Sequence, residues 1–142
     1  MKISQQPLAK ANIMIVDDTL DNLRLLSKVL TDQEYKVRGV SNGPRALKAA
    51  QLYPPDLVLL DIRMPEMDGY EVCKALKTDE RTKDIPGIFL SALDEAVNKV
   101  QGFEIGGVDY ITKPFQAKEV LARIETHLLL REMQKRLEEQ NI

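Results

Sequence analysis

Five polar side chains stand where short apolar runs of the sequence end. Asp17 and Asp18 follow the run 13–16, and Asp61 follows the run 57–60. Ser91 follows the run 87–90, and Lys113 follows 108–112. Crowded carboxylates repel one another unless a cation lies among them, and hard oxygen ligands suit Mg²⁺ or Ca²⁺. A hydroxyl and an amine beside such an ion would bind an anion, so the set favours phosphoryl chemistry.

Each of these residues also has an ordinary structural interpretation. Asp17 and Asp18 could serve as helix cap and first-turn acid. Asp61 could begin a loop, Ser91 could cap a helix, and Lys113 could simply be solvated. The chemical interpretation depends on all of them falling at successive strand ends, because ligands of open α/β sheets bind outside the carboxyl ends of the strands. The sequence has no Cys/His cluster of the kind that zinc requires.

The elements that must position these side chains alternate along the chain. The apolar runs predict five strands, and segments with helical periodicity follow each of them. The first helix, for example, repeats Leu23, Leu26 and Leu30 on one face. The predicted strands are 13–16, 35–40, 57–60, 87–90 and 108–112, and the later helices are 45–52, 70–77, 95–105 and 116–142. This alternation predicts an α/β fold, doubly wound, with a five-stranded parallel sheet and helices on both faces.

Composition and charge narrow the class of protein. A chain of 142 residues with 44% hydrophobic and 30% charged residues is typical of one globular domain. Its net charge of −2 gives no basic footprint for direct binding to nucleic acid. The single cysteine, Cys73, fits a reducing compartment, and the sequence has neither an apolar run that could span a membrane nor a signal peptide in residues 1–11. We therefore expect a cytoplasmic protein with no membrane contact.

Four stretches of the sequence resemble the receiver domains of bacterial two-component response regulators. Together with the order of elements, the resemblance covers about residues 12–130. The matching stretches are Ile-Val-Asp-Asp at 15–18, Leu-Asp-Ile-Arg-Met-Pro-Glu-Met-Asp-Gly at 60–69, Leu-Ser-Ala at 90–92, and Tyr-Ile-Thr-Lys-Pro-Phe at 110–115. The resemblance implies a flavodoxin-like sheet with strand order 2-1-3-4-5.

The resemblance also implies a chemical role for Asp61. This residue would accept a phosphoryl group from the phosphohistidine of a sensor histidine kinase or a phosphotransfer protein, or from a small phosphodonor. Mg²⁺ would be held by Asp18, Asp61 and the backbone carbonyl of Arg63, with Asp17 acting partly through water. Such a chain is a signalling switch that catalyses only its own phosphorylation and dephosphorylation.

The remaining site residues would bind and sense the phosphoryl group. The resemblance implies that Ser91 and Lys113 contact the phosphoryl oxygens, and that the rotamer of Tyr110 follows Ser91. Phosphorylation would then shift the surface of the fourth and fifth strands and the helices after them. It also implies a cis peptide bond between Lys113 and Pro114. Arg63 and Leu93, two residues beyond Asp61 and Ser91, would tune the lifetime of the phosphoryl group, although Arg63 could equally be a solvated loop residue.

The last predicted helix is longer than such a domain needs. Its first turns carry a core face of Val120, Leu121, Ile124 and Leu128. Beyond them, Leu130, Met133 and Leu137 (hereafter the tail stripe) recur with heptad-like spacing. We expect a flexible segment at 1–11, the receiver domain at 12–130 and a helical extension at 131–142. The extension is either an exposed terminal helix, or a coiled-coil linker that forms a homodimer or leads to an output domain that is absent here or acts in trans.

Three other functions compete with the receiver interpretation. A phosphatase similar to haloacid dehalogenases would need a second acid two residues after Asp61, where Arg63 stands. A receiver-like module that is never phosphorylated usually lacks part of the site, and a flavodoxin-like cofactor binder would need a glycine-rich loop after the first strand. His127, the only histidine, and Cys73 are interpreted as structural residues.

Overall fold

The computed structural model describes residues 11–92 and 99–140. Five strands alternate with five helices, as the sequence predicts. In chain order they are β1 Asn12–Val16, α1 Leu20–Thr31, β2 Lys36–Val40, α2 Gly43–Leu52, β3 Leu57–Asp61, α3 Gly69–Lys77, β4 Gly87–Ser91, α4 Lys99–Glu104, β5 Asp109–Thr112 and α5 Ala117–Gln140.

The strands form one parallel sheet in the order β2-β1-β3-β4-β5, which confirms the predicted doubly wound fold. Alternate side chains of β1 enter two separate cores, as the period of a strand requires. Ile13 and Ile15 pack with α1 and α5 on one face of the sheet. Met14 and Val16 pack with α2 and α3 on the other. β3 and β4 are buried along their whole length, which explains their continuous apolar sequences.

Several element boundaries differ from the predictions by one or two residues, each with a local cause. β2 begins at Lys36, because the N–H of Tyr35 donates to the carbonyl of Leu30 at the end of α1. α2 begins at Gly43, because the side chain of Asn42 accepts a hydrogen bond from the N–H of Arg45 at 2.9 Å and caps the helix. β3 and β4 each extend one residue further than predicted, so that Asp61 and Ser91 belong to the strands themselves.

The buried apolar residues of α5 all lie in its first half. Val120, Ile124 and Leu128 are buried, as predicted. The tail stripe is 53–60% exposed, and it lies beyond the last buried turn. Arg131 is the last residue of α5 with a close polar contact to the domain, since its guanidinium lies 3.8 Å from the carboxylate of Asp84. In the part of the chain that the structure describes, no helix combines the length and apolar character needed to cross a membrane.

Candidate functional site

The register of the sheet brings the predicted site residues to one edge. Asp17 directly follows Val16, which pairs with Leu60, so it lies level with Asp61 on the neighbouring strand. Ser91 ends β4 and pairs with Thr112, and its carbonyl accepts a hydrogen bond from the N–H of Lys113 at 2.7 Å. The predicted residues Asp17, Asp18, Asp61, Ser91 and Lys113 therefore lie at the carboxyl ends of the neighbouring strands β1, β3, β4 and β5.

Three carboxylates form the centre of this edge. One oxygen atom from each of Asp17, Asp18 and Asp61 lies within 4.8 Å of the other two. Asp17 and Asp61 are buried, whereas Asp18 is exposed. Such a set of hard oxygen donors, with one member open to solvent, fits a Mg²⁺ ion that keeps several waters. The set does not fit zinc, because the group found among the described residues contains neither histidine nor cysteine.

The carboxylate of Asp17 is held in place by α1. Its Oδ1 accepts a hydrogen bond from the N–H of Thr19 at 2.9 Å, and its Oδ2 accepts one from Nδ2 of Asn22 at 3.1 Å. Asn22 was not predicted as a site residue. The only sequence signal is its position in the first turn of α1, five residues after Asp17.

Lys113 is a cation that lies close to these acids. Its Nζ lies 3.2 Å from Oδ1 of Asp61 and 3.8 Å from Oδ2 of Asp17. Burial and the neighbouring carboxylate of Asp17 raise the pKa of Asp61 to about 7, although Lys113 acts in the opposite direction. One ammonium group is therefore too little to balance the acids, which leaves the site with an excess of negative charge.

A loop between β3 and α3 closes one side of the site. Gly69 packs directly on the backbone of Asp61, and a Cβ at this position would lie 3.0 Å from the carbonyl carbon of Asp61. Its N–H donates to the carbonyl of Ile62 at 2.9 Å, and Asp68 caps α3 in a capping box with Glu71. The glycine in the matched stretch is therefore needed for close approach to the backbone of Asp61.

The site opens into a cleft of about 440 Å³. Asp18, Asp61 and Lys113 line it, and the predicted residue Arg63 lies at its exposed side. Ser91 is 4% exposed, and the following residue, Ala92, lines the cleft. The cleft is thus bounded by the acids, the amine and the loop after β3, and it has room for a small anionic group. Leu93 lies outside the described residues.

Tyr110 lies on β5 with its side chain turned inward. The side chain is 6% exposed, and its hydroxyl lies 3.2 Å from the hydroxyl of Tyr70. Tyr70 was not predicted as a partner of Tyr110, because 40 residues separate the two in sequence. The peptide bond between Lys113 and Pro114 is cis, as the resemblance implied.

The two residues interpreted as structural have structural contacts. Cys73 is buried, its Sγ lies 3.8 Å from the carbonyl of Ile105, and burial raises the pKa of its thiol. Nε2 of His127 lies 2.9 Å from Oδ2 of Asp109. Nη1 of Arg123 donates to both oxygens of the same carboxylate, at 2.7 Å to Oδ1 and 2.8 Å to Oδ2. This ionic cluster joins β5 to α5 on the side of the molecule away from the acids.

Comparison with known proteins places the chain in one family. The model of the response regulator receiver domain matches residues 13–125. Over 116 residues the chain is 42% identical to response regulator PleD of Caulobacter vibrioides, covering 82% of this chain and 26% of PleD. It is 41% identical over 116 residues to the DNA-binding dual master transcriptional regulator RpaA of a Synechocystis species, covering 82% of this chain and 48% of RpaA. The chain thus spans between a quarter and a half of these relatives.

Solved structures agree with the sequence comparison. The receiver domain of sensor histidine kinase PA1611 from Pseudomonas aeruginosa, solved with a magnesium ion coordinated in its active-site cleft, superimposes with a TM-score of 0.77. The two sequences are 26% identical, and the match covers 84% of this chain and 98% of that domain. Chemotaxis protein CheY4 of Vibrio cholerae gives a TM-score of 0.78 at 28% identity, covering 82% of this chain and 98% of that protein.

Proposed function

The chain belongs to the response regulator receiver domain family of two-component signalling, and from this premise we propose that Asp61 is its phosphorylation site. The observation that carries the proposal is the placement of the Asp61 carboxylate at the cleft, between the acids Asp17 and Asp18 and the amine of Lys113. A buried carboxylate with its neighbours already fixed is positioned for attack on a phosphorus atom that enters the cleft.

Three side chains and one backbone group would hold Mg²⁺. Asp18 and Asp61 would bind it directly together with the carbonyl of Arg63, and Asp17 would act partly through water. The fit rests on the donor set, since all these ligands are oxygens and the three carboxylates lie within 4.8 Å of one another. When bound, the ion offsets the charge of the acids and of the incoming phosphoryl group. The magnesium ion in the PA1611 receiver supports this assignment.

Phosphorylation transfers one group between two nucleophiles. An oxygen of ionised Asp61 attacks the phosphorus of a phosphohistidine, the P–N bond breaks, and its electron pair stays on the imidazole nitrogen, which takes up a proton. Lys113 is 3.2 Å from Asp61 and donates to a phosphoryl oxygen. Ser91 at the end of β4 donates its hydroxyl hydrogen to another. Hydrolysis of the acyl phosphate later restores Asp61.

The phosphoryl group would be read out on the side of the sheet formed by β4, α4, β5 and α5. The new negative charge draws the hydroxyl of Ser91 toward the cleft, and the Tyr110 ring follows because it lies on the adjacent strand. The result is a shift between two populations of this surface. Arg63, on the exposed side of the cleft, would limit attack by water and lengthen the lifetime of the phosphoryl group.

The partners follow from this chemistry. A sensor histidine kinase or a phosphotransfer protein would donate the phosphoryl group, in the cytoplasm. The output would lie in a further domain or in a separate protein, since PleD and RpaA are two to four times longer than the part that matches. The receiver itself would bind neither nucleic acid nor membrane. α5 would form a homodimer through the tail stripe, whose exposed apolar side chains have heptad-like spacing.

Phosphorylation can be tested on the isolated chain. Incubation with Mg²⁺ and acetyl phosphate, followed by intact mass measurement, should give one phosphoryl adduct on the wild type and none on Asp61→Asn. Glu66→Gln is the matched control, because Glu66 is an exposed acid of the same loop, and it should be modified like the wild type. An adduct on Asp61→Asn at the wild-type level would remove Asp61 from its role.

The same reaction distinguishes the receiver from a phosphatase of the haloacid dehalogenase type. A phosphatase needs a general acid to protonate the leaving group, and Arg63 stands where that acid would be. We therefore expect no sustained hydrolysis of phosphomonoesters. Continuous release of phosphate from a panel of phosphomonoesters, abolished by Asp61→Asn, would favour the phosphatase instead.

A further inference from the structure

The inward position of Tyr110 has three supports, and the first is a cage of aromatic rings. Its ring centroid lies 5.2 Å from that of Phe89 and 5.6 Å from that of Phe103, the latter edge-on at 85°. β5 is an edge strand, so without this cage its tyrosine could turn toward solvent. Phe103 is 50% exposed, so one wall of the cage is open to solvent. Burial by these rings can therefore account for only part of the preference of the Tyr110 ring for its inward rotamer.

Gly102 of α4 supplies the space that the tyrosine hydroxyl occupies. A Cβ at this position would collide with the Tyr110 hydroxyl oxygen, and it would lie 2.9 Å from Cζ of the same ring and 3.0 Å from Cε2 of Phe89. Glycine inside a helix is disfavoured relative to alanine, and Gly102 is buried within α4. The packing of Tyr110 gives a steric reason for glycine here, because any other residue would fill the place of the hydroxyl.

Tyr70 supplies a polar partner that is tied to the phosphorylation site. The two hydroxyls are 3.2 Å apart, and the Tyr70 ring packs on Phe89 at 4.9 Å. Burial and this hydrogen bond both raise the pKa of Tyr110. Tyr70 directly follows Gly69, which packs on the backbone of Asp61. One short stretch of chain therefore touches Asp61 at one end and Tyr110 at the other.

We propose that Gly102 and Tyr70 are the positioning residues of Tyr110: Gly102 provides the space for its inward rotamer, and the Tyr70 hydroxyl bonds to that rotamer and couples it to the loop after Asp61. The coupling to phosphorylation rests on the proposed function, whereas the positioning of the ring does not. If the phosphorylated site favours the inward ring, a change that lowers the inward fraction of the ring weakens phosphoryl binding by the factor by which that fraction falls. A neutral hydrogen bond corresponds to roughly a two- to tenfold change in such an equilibrium.

The rotamer can be followed without any phosphoryl donor. The chain has four tyrosines, so labelling with 3-fluorotyrosine gives a simple ¹⁹F spectrum in which Tyr110→Phe assigns the resonance of Tyr110. Relaxation by a soluble gadolinium chelate reports the exposure of that ring. In Tyr70→Phe we expect the ratio of outward to inward rings to rise roughly two- to tenfold, and in Gly102→Ala we expect the outward ring to predominate. Tyr53→Phe, at an exposed tyrosine, should leave the Tyr110 resonance unchanged.

A stability cycle separates this collision from a general loss of folding. Gly102→Ala should destabilise the wild type to urea much more than it destabilises a Tyr110→Leu background, where the colliding hydroxyl is gone. Equal destabilisation in both backgrounds, or an unchanged Tyr110 resonance in both Gly102→Ala and Tyr70→Phe, would overturn the positioning role.

Binding of beryllofluoride with Mg²⁺ tests the coupling. The dissociation constant should rise in Tyr70→Phe by the factor by which the inward fraction of the ring falls. An outward ring with unchanged beryllofluoride affinity overturns the coupling while the positioning role stands. Failure of the wild type to bind beryllofluoride, with the ¹⁹F results as expected, contradicts the proposed function and leaves the positioning role intact.

Discussion

Asp61 should make the metal-free protein less stable as the pH rises. The side chain is 3% exposed, it lies beside the buried carboxylate of Asp17, and only Lys113 at 3.2 Å opposes the repulsion. Burial and Asp17 raise the pKa of Asp61 to about 7, compared with 3.8 for an ordinary aspartate. Because the folded state favours the protonated carboxyl, the fold is most stable below pH 3.8 with respect to this group, and stability falls until the pH passes about 7.

The size of the effect follows from the two pKa values. A difference of about three pKa units at about 1.36 kcal/mol each corresponds to a cost on the order of 4 kcal/mol at alkaline pH. Asp61→Asn keeps the shape and removes the charge. In EDTA the variant should therefore be more stable than the wild type by an amount of this order at about pH 8, and the difference should shrink toward zero as the pH falls to about 4.

Urea unfolding at several pH values measures this difference directly. Glu104→Gln removes an exposed acid of α4 and should change stability by less than about 0.5 kcal/mol at every pH. Mg²⁺ at a hundred times its dissociation constant for the wild type should stabilise the wild type by about 2.7 kcal/mol. The same Mg²⁺ concentration should stabilise Asp61→Asn less. The raised pKa of Asp61 would be contradicted if the Asp61→Asn variant were no more stable than the wild type. It would also be contradicted if the stability difference stayed constant between about pH 4 and about pH 8.

Three further outcomes are expected. Asp109→Asn should lower stability by about 1 kcal/mol near neutral pH, because Arg123 and His127 lose their contacts with this carboxylate, although Arg123 keeps its contact with Glu119. Burial raises the pKa of Asp109, but the hydrogen bonds from His127 and Arg123 outweigh the effect of burial and hold the pKa below 3.8. Urea unfolding should therefore show that the stability deficit of the variant disappears as the pH falls through that lower value. Arg63→Ala should shorten the lifetime of the phosphoryl group, measured by loss of the mass adduct, and an unchanged lifetime would contradict the role of Arg63. Leu137→Lys should abolish a dimer in sedimentation analysis while changing monomer stability by less than about 0.5 kcal/mol, since Leu137 is 60% exposed.

The sequence predicted the fold and the candidate site well because both depend on local signals. Four-residue apolar runs such as 57–60 are typical of strands buried on both faces of a parallel sheet, and the polar residues that end those runs then meet at one edge. The strand ends therefore predict that Asp17, Asp61 and Lys113 lie together. In the structure, Nζ of Lys113 lies 3.2 Å from Asp61 and 3.8 Å from Asp17.

The contacts that the sequence did not predict depend on tertiary packing. Asn22 binds Asp17 because the first turn of α1 faces the site, but an asparagine in a first turn also has ordinary uses. The contact between Tyr70 and Tyr110 joins α3 to β5 across 40 residues, and no periodicity relates them. Gly102 left a local signal, a glycine within a predicted helix, yet its cause is the position of a side chain on another element.

The electrostatics of the site explain how Asp61 would destabilise the metal-free fold and, in the proposed function, would act as the switch. Three acids and one amine leave a net charge of −2 when all are ionised, which a divalent cation brings to zero. Replacing the single charge of Asp61 by a phosphoryl group with about −1.5 to −2 restores an excess of negative charge in a buried place. In the proposed function, hydrogen-bond donors would then move toward it, with Ser91 and Lys113 as the donors at the adjacent strand ends. Tyr70 contacts Tyr110 and follows the glycine packed on Asp61, so the coupling that we propose would carry this local charge change to β5 along that stretch.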